Sequence, residues 1–242
     1  MEILISIKYF ILRTVKKTFL VLVLMHMIFF IIMFFVLEKT SRVNPEVTSL
    51  MLYRKHVCGH AVKPVRFVPL DKIPSDIIKM AIATEDYRFY THPGIDIEAI
   101  KRAYVINRKV GYHMYGGSTI TQQLSRTLFL MPKKLLIRKY AEVLISLEME
   151  MLLSKERILE LYLNYCEWGK GIFGVARASE HYYRKDPDRL TIDQTARLIT
   201  ILANPISYGP YTFHRKIFLA NRYYIIKFRY YTYLKFHDLA LR

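Results

Sequence analysis

Two stretches about thirty residues apart carry side chains that could act on a hydroxyl group. Residues 85–94 (EDYRFYTHPG) place the adjacent carboxylates of Glu85 and Asp86 near a histidine and a turn glycine. Residues 116–123 (GGSTITQQ) place hydroxyl and amide side chains directly behind a glycine pair. A carboxylate can take a proton from a sugar hydroxyl, and hydroxyls and amides can hydrogen-bond sugar or phosphate oxygens. Since a solvated loop has no need of such a set, we predict that both stretches line a cleft.

Two later stretches place charged and amide side chains at helical spacing. In residues 138–142 (RKYAE), Arg138 and Glu142 are four apart and share a helix face, with Lys139 three before the same carboxylate. Alone, this pattern is typical of a surface ion pair that contributes about 0.3–0.5 kcal/mol. Residues 155–164 (KERILELYLN), taken alone, are typical of an amphipathic helix.

Together, the types, spacing and order of these four stretches resemble the bacterial peptidoglycan glycosyltransferases, which polymerise lipid II. The shared patterns are EDxxFxxHxG, GxSTITQQ, RKxxE and KxxILExYLN, and the likeness covers about residues 65–226. Residues 167–175 (EWGKGIFGV) resemble the monofunctional members, the biosynthetic peptidoglycan transglycosylases. The chain departs from the family at Arg126-Thr127, where a Lys-Asn pair is common, which keeps the charge but loses an amide.

The resemblance implies a mainly α fold, with a lysozyme-like helical glycosyltransferase domain, and an inverting reaction. The 4-hydroxyl of an acceptor lipid II would attack C1 of the lipid-linked donor, and undecaprenyl pyrophosphate would leave. Glu85 is predicted as the catalytic base and Glu142 as the second catalytic residue. The predicted substrate-binding residues are Asp86, Phe89, Ser118, Thr119, Thr121, Gln122, Gln123, Arg126, Lys134, Arg138, Lys139 and Asn164.

The implied partners are lipid II, the growing glycan chain, the membrane and other cell wall synthesis proteins. No cofactor is predicted to be obligatory, although a Mg²⁺ or Mn²⁺ ion bridging the pyrophosphate oxygens is compatible with the chemistry. No set of metal ligands is assigned. His92 is predicted to stabilise a turn rather than to transfer a proton.

An apolar segment near the N-terminus predicts a single transmembrane helix. Residues 18–37 form an unbroken run of twenty uncharged residues, which at ~1.5 Å per residue spans the ~30 Å hydrocarbon layer. Basic residues precede it, so we expect the N-terminus in the cytoplasm and the catalytic domain on the outer face. The predicted division is a basic N-terminus (1–17), the membrane helix (18–37), a connector (38–70) with extended pieces, and the glycosyltransferase domain (71–242).

The formal net charge is +17 and is unevenly distributed. Between Glu98 and Glu142 there is no acidic residue, yet nine lysines and arginines fall there. Such a field attracts phosphates, and the membrane segment favours lipid substrates over nucleic acid. Cys58 and Cys166 have no metal-binding spacing and are predicted to be free, buried thiols.

Capping residues predict where the helices begin. Ser75 is expected to cap a helix to Thr84, Asp96 the next helix, and Ser154 one through about Tyr165. A Thr191–Gln194 capping box should open a helix to Leu202. The sequence also predicts a loop over 107–117 and a long helix over about 134–153, while 222–236 fits either a membrane-surface segment or a helix packed on the domain.

Two rival functions fit parts of the sequence. A glycan-cleaving enzyme, such as a lysozyme or lytic transglycosylase, would also use carboxylates in a helical cleft, but it has no leaving pyrophosphate for a cationic cluster to neutralise. A non-catalytic scaffold that binds lipid II is the second rival, and the complete set of polar motif residues argues against it.

Overall fold

The computed structural model describes residues 2–111, 116–133 and 135–240, with side chains from residue 7 to residue 232. The chain forms two compact units, one ending at Val43 and one beginning at Asn44. The first unit is the single helix α1, Glu2–Arg42. The segment Ile7–Arg42 is long and apolar enough to cross a membrane.

Helix α1 is longer than the predicted membrane segment at both ends. No glycine or proline occurs before Pro45, so nothing in the sequence breaks the helix at residue 18 or residue 37. Its 41 residues correspond to about 60 Å of helix, roughly twice the hydrocarbon thickness.

The second unit is mainly helical, as predicted. Its helices are α2 Ser49–His56, α3 Ser75–Glu85, α4 Ile97–Val110, α5 Ile120–Phe129, α6 Leu136–Leu152, α7 Lys155–Tyr165, α8 Val175–Tyr183, α9 Ile192–Ile201 and α10 Ile217–Ala240. A short antiparallel hairpin, β1 Glu167–Gly169 and β2 Ile172–Phe173, follows α7. Single 3₁₀ turns cover Leu70–Lys72, Pro187–Arg189 and Phe213–Arg215.

Helix α5 forms the centre of this unit. It packs against α2, α6 and α7, and Ile120, Leu124 and Leu128, spaced four apart, are all buried. Four-residue spacing keeps these side chains on one face. The other edge of α5 carries Gln123 and Arg126, which are only partly buried. A buried helix with a polar edge can hold functional groups rigidly.

Helix α10 packs against α3 and α9. Leu219, Tyr223, Ile226 and Tyr230 are buried and recur at helical spacing, so they form the packed face. The structure therefore supports the packed-helix alternative for the C-terminal segment. The opposite face, which includes Tyr224 and Phe228, is exposed.

Most predicted helix starts are confirmed. The side chains of Asp96, Ser154 and Thr191 each accept a backbone N–H of the helix they precede. Ser75 is the exception, because it is the first residue of α3 and Pro74 precedes it without a side-chain cap. The helix expected to reach Leu202 ends at Ile201.

Two predicted irregular segments are partly helical. Helix α4 continues through 107–110 and ends at Gly111, whose φ of 80° provides the left-handed terminus, and residues 112–115 of the predicted loop lie outside the described residues. The predicted connector contains the end of α1 and the whole of α2. From Asn44 onward its residues belong to the second unit.

The two cysteines are free, as predicted. Cys166 is buried but Cys58 is exposed, which corrects the expectation that both are buried. Burial, with the nearby Glu85 charge, raises the pKa of the Cys166 thiol well above its usual value.

Candidate active site

The carboxylate of Glu85 lies at the end of α3 and is oriented by two other helices. Gln123 of α5 donates from Nε2 to Glu85 Oε2 at 3.1 Å. Arg222 of α10 forms an ion pair with Oε1. The Glu85 side chain retains 12% exposure, so the carboxylate is fixed but accessible.

Gln123 is itself oriented by a buried phenol. Tyr162 of α7 donates its O–H to Gln123 Oε1 at 3.3 Å, which leaves the Gln123 amide N–H groups to face Glu85. Burial, and then the charge of Glu85, raise the pKa of Tyr162 well above its usual value. The phenol therefore stays protonated and remains a donor at any physiological pH.

Asp86 connects the first motif (residues 85–94) to the second (residues 116–123) through hydrogen bonds. Its carboxylate accepts the backbone N–H of Ile120, the first residue of α5, at 2.9 Å, and His92 Nε2 at 2.9 Å. The backbone N–H of Gly94 donates to His92 Nδ1 at 3.1 Å, so Nε2 carries the proton and donates to Asp86. His92 thus stabilises the turn, as predicted. Both oxygens of Asp86 accept hydrogen bonds, so this residue holds the start of α5 beside the first motif, and its role in binding substrate stays a prediction.

Three further residues of the second motif also make internal contacts. Thr119 and Gln122 form a capping box at the start of α5, and Thr119 Oγ1 donates to Gly94 O at 2.6 Å. Thr121 Oγ1 donates to Glu150 at 2.5 Å. All three motif side chains are buried. Their polar groups hold α5 in place, Thr119 also lines the first cavity, and their role in binding substrate stays a prediction.

Phe89 and Asn164 are also buried and make contacts within the protein. Phe89 has no exposed surface, and the ammonium of Lys155 lies 4.6 Å from the centre of its ring. Asn164 is fully buried and binds both the N–H and the C=O of Val68 at 2.8 Å. These contacts give both residues a structural task, and their role in binding substrate stays a prediction.

Glu142 is the centre of a cluster of cations. Its side chain is fully buried, and its two oxygens bind Arg138 Nη1 at 2.6 Å and Lys139 Nζ at 2.5 Å. Arg126 Nη1 lies 3.8 Å away. A buried carboxylate needs such compensation, because desolvation costs several kcal/mol per ion. Glu142 therefore gathers the cations, and no oxygen remains free for proton transfer.

Ser118 connects this cluster to the cleft. Lys139 Nζ donates to Ser118 Oγ at 3.1 Å, and both side chains are partly exposed. Arg138 Nε donates to the carbonyl of Lys133 at 2.6 Å, which restrains the guanidinium. Lys134, the remaining predicted cation, lies outside the described residues.

Helix α5 places Glu85 and the cations on one side of the molecule. Gln123, which binds Glu85, and Arg126, which approaches Glu142, are one turn apart on one face of α5. Two adjoining cavities, of about 730 and 640 Å³, share residues 116–118. Glu85 lines the first and Lys139 the second. The carboxylate and the cluster thus open onto neighbouring parts of one cleft.

Some residues that line the cleft lie outside the sequence motifs. Arg102 of α4 and Phe228 and Arg229 of α10 line the first cavity, and Ile100 and Tyr104 line the second. No short-range pattern could reveal α10, because it comes more than a hundred residues after Glu85. The only sequence prediction that reached it was the segment 222–236, which fitted either a membrane-surface segment or a helix packed on the domain.

Among the residues that the structure describes, no group of three or more His, Cys, Asp or Glu side chains could hold a metal ion.

Comparison with known proteins decides the family. The transglycosylase family model matches residues 56–227. The chain belongs to this transglycosylase family. Its relatives include the biosynthetic peptidoglycan transglycosylases of Thiobacillus denitrificans (42% identical, covering 67% of this chain and 72% of the relative), Burkholderia multivorans (43%, 68% and 69%) and Ralstonia nicotianae (41%, 74% and 76%). The matched region contains Glu85, Glu142 and all the motif residues of this transglycosylase.

Proposed function

We propose that the protein is a peptidoglycan glycosyltransferase of cell wall synthesis, which polymerises lipid II into β-1,4-linked glycan strands and releases undecaprenyl pyrophosphate. The observation that carries this proposal is the arrangement along α5. An accessible carboxylate and a set of cations lie one helical turn apart beside the same cleft. Family membership and the names of the relatives support the same activity.

In this proposal Glu85 is the general base. A sugar hydroxyl is a poor nucleophile at neutral pH, so its proton must be removed as it attacks. Gln123 and Arg222 fix one carboxylate geometry, which lowers the entropic cost of reaching the reactive arrangement. The acceptor 4-hydroxyl would bind at Glu85, in the first cavity.

The Glu142 cluster would bind the leaving pyrophosphate. Arg126 and Lys139 are 38% and 42% exposed, so they reach solvent while Glu142 holds them in place. Positive charge aimed at the departing oxygens stabilises the charge that develops in the transition state. Glu142 is then a positioning residue. The lack of acidic residues in the stretch of sequence before Glu142 also has a physical reason, because an extra carboxylate there would repel the diphosphate.

The test is lipid II polymerisation by Glu85→Gln, which keeps the size of the side chain but replaces one carboxylate oxygen with an amide nitrogen that cannot accept a proton. We expect turnover to fall by about 10²–10⁴, the usual contribution of general base catalysis. Glu98→Gln is the matched control, because Glu98 is an exposed helical carboxylate that pairs with the exposed Lys101. If Glu85→Gln polymerised lipid II at the wild-type rate, Glu85 would not be the general base.

The same assay separates the rivals. Incubation with finished sacculi would release soluble fragments if the protein cleaved glycan, and we expect none. Lipid II binding without any glycan product would favour the scaffold. A parallel reaction with chelator tests the divalent ion, and a loss of turnover restored by Mg²⁺ or Mn²⁺ would support its binding on the pyrophosphate oxygens.

We also propose that α1 anchors the protein in the bacterial plasma membrane with the N-terminus in the cytoplasm. Lys16 and Lys17 precede the apolar run directly, and basic residues are retained on the cytoplasmic side. Protease added outside spheroplasts should digest the domain after residue 43. Protection of that domain from the protease would show that the protein has the opposite orientation in the membrane.

A further inference from the structure

A third cavity, of about 530 Å³, lies on a different set of elements. Its walls are the segment around Lys63, the hairpin at Lys170–Phe173, helix α8 and residues 205–209. It shares no lining residue with the two cavities of the candidate active site. A volume of this size is typical of sites for small ligands.

The charged side chains that line this cavity are mostly positive. Four cationic side chains line it, but Glu180 is its only carboxylate, and Arg177 binds that carboxylate at 3.0 Å. Within the described part of the chain, no carboxylate lies within ion-pair distance of Lys63, Lys170 or Arg184. Like charges around one concavity repel one another, and an anion would relieve that repulsion.

His181 lies among these cations. Burial lowers the pKa of its imidazole, and the charges of Lys63 and Arg184 lower it further. The charged groups around it are Arg177 and Glu180 of its own helix, Arg184 just after that helix, Lys63, and Lys170 of the hairpin, while residues 205–209 contribute none. The pKa of the His181 imidazole should therefore respond to a change of charge in the cavity.

The walls are held in place by hydrogen bonds between their residues and neighbouring segments. Arg177 Nε donates to the carbonyl of Pro64 at 3.0 Å, which ties the first wall to α8. Tyr211 donates its O–H to the carbonyl of Tyr182 at 3.0 Å, which restrains the chain just after residues 205–209. The hairpin is fixed by Glu167, whose carboxylate accepts from Arg54 and from the backbone N–H of Gly171. The cations are therefore presented by a preformed site.

We infer that this cavity binds a phosphate group, either free or carried by a lipid headgroup. Lys63, Lys170 and Arg184 come from three separate elements, so they approach a ligand from different directions. A phosphate offers three or more acceptor oxygens to such donors, whereas a carboxylate offers two. The inference does not depend on the proposed function, because the cavity and the catalytic cleft have no lining residue in common.

The test follows the imidazole of His181 by NMR in the full chain in detergent micelles, with labelled histidine. His181→Gln assigns its signal, and the exposed His214 serves as the internal reference. Inorganic phosphate is titrated at constant ionic strength, balanced with sodium chloride. We expect a saturable shift of the His181 signal and a rise in its pKa, because a bound anion offsets Lys63 and Arg184. His214 should not respond.

Charge variants supply the second measurement. Lys63→Gln combined with Arg184→Gln should weaken phosphate binding about tenfold or more, since each removes a charge-assisted contact. Arg215→Gln combined with Lys216→Gln is the matched control, because it removes the same charge from exposed positions outside the cavity. The control pair should bind as wild type does. Equal weakening by both pairs would show general charge attraction and overturn the site.

A third arm identifies the source of the phosphate. Bilayer discs of phosphatidylcholine with and without phosphatidylglycerol replace the micelles. A response to inorganic phosphate supports a soluble ligand, and a response only to phosphatidylglycerol supports a lipid headgroup. No saturable response to either, or a response that sodium chloride reproduces, would overturn the inference.

Discussion

Glu85 and Glu142 are both carboxylates of conspicuous motifs, but their surroundings give them different tasks. Glu85 keeps an accessible edge and has one cationic partner, Arg222. Glu142 is buried and both of its oxygens are bound by cations. Under the proposed function, proton abstraction requires access to the acceptor hydroxyl, and of these two carboxylates Glu85 is the accessible one. Both residues are glutamates, so the burial of Glu142, and not its residue type, distinguishes the two proposed roles.

Replacing Glu142 with Gln tests this division. The amide keeps the size of the side chain but leaves Arg126, Arg138 and Lys139 without their shared counter-ion. We expect a loss of about 1–3 kcal/mol in the free energy of unfolding, discounted because two of the cations are partly exposed. Turnover should fall as well, because the cations lose their alignment. Denaturant unfolding and lipid II polymerisation give the two readouts.

Glu98→Gln again controls for the loss of one negative charge at an exposed site. If Glu142→Gln unfolded like the wild type and retained full activity, Glu142 would not organise the cluster. If its stability were unchanged while turnover was abolished, Glu142 would have a direct chemical role.

The Tyr162–Gln123 contact gives a second prediction at the residue scale. Tyr162→Phe removes the O–H that orients Gln123, so Glu85 loses a fixed donor. We expect turnover to fall about 3–10-fold with little change in KM, which corresponds to about 0.5–1.5 kcal/mol for one hydrogen bond. The alkaline limb of the pH–rate profile should not move, because the raised pKa keeps Tyr162 protonated across that range.

Tyr165→Phe is a suitable comparison for this variant. Tyr165 lies on the same helix, and its O–H donates to the carbonyl of Pro45 at 2.6 Å, which is not a residue of the cleft. Its turnover should match that of the wild type. Equal losses in both variants would mean that the effect comes from loosening α7 and not from the orientation of Gln123.

At the scale of elements, α10 forms a wall of the active site as well as closing the domain. Arg222 pairs with Glu85, and the guanidinium of Arg229 donates to the carbonyl of Ala83 at 3.3 Å. Farther from the cleft, Tyr223 donates to Asp193 of α9, and Arg197 Nε donates to the same carboxylate at 2.6 Å. The position of α10 is therefore linked to the geometry of the base.

Asp193→Asn tests the contact between α9 and α10. Burial acts to raise the pKa of Asp193, but hydrogen bonds from Tyr223 and Arg197 outweigh it and lower the pKa overall. A carboxylate with a lowered pKa stabilises the fold above its unfolded pKa of about 4, and this contribution is lost as the pH falls through the folded value. Asp193→Asn should therefore melt at a lower temperature than the wild type at pH 7.

The difference in melting temperature between Asp193→Asn and the wild type should narrow below about pH 4. Asp188→Asn, at an exposed site without an ion pair in the described structure, should show no pH-dependent difference. A constant difference at every pH would mean that Asp193 acts through packing and not through its charge.

Sequence alone predicted the features that depend on local rules. Asp96, Ser154 and Thr191 cap their own helices, and a cap requires only residues three or four apart. Glu142 and Arg138 were paired correctly for the same reason. The tasks of Thr121, Gln122 and Asn164 could not be predicted, because a buried polar side chain and a substrate-binding one have the same chemistry. Only tertiary burial distinguishes them.

At the scale of the whole molecule, exposed apolar side chains collect near the second cavity. Ile97 and Tyr104 of α4 are exposed, as are Leu136 and Ile137 at the start of α6. Both elements contribute to that cavity, α6 through Lys139. Apolar surface bordered by basic residues is typical of contact with an anionic membrane. A substrate whose lipid tail stays in the bilayer would enter the cleft from this side.

Leu136→Trp tests this orientation in the full chain reconstituted into vesicles. Leu136 is 91% exposed, and the single native tryptophan, Trp168, is fully buried, so the new indole reports its own surroundings. We expect brominated lipids to quench its emission, because heavy atoms act only on nearby rings. Met151→Trp is the matched control, since Met151 is 84% exposed and lies about 22 Å farther along α6. Its emission should resist the brominated lipid and respond to aqueous iodide. Quenching of the two variants by lipid to the same extent would mean that α6 lies along the bilayer, and quenching of neither would place the entrance of the cleft in water.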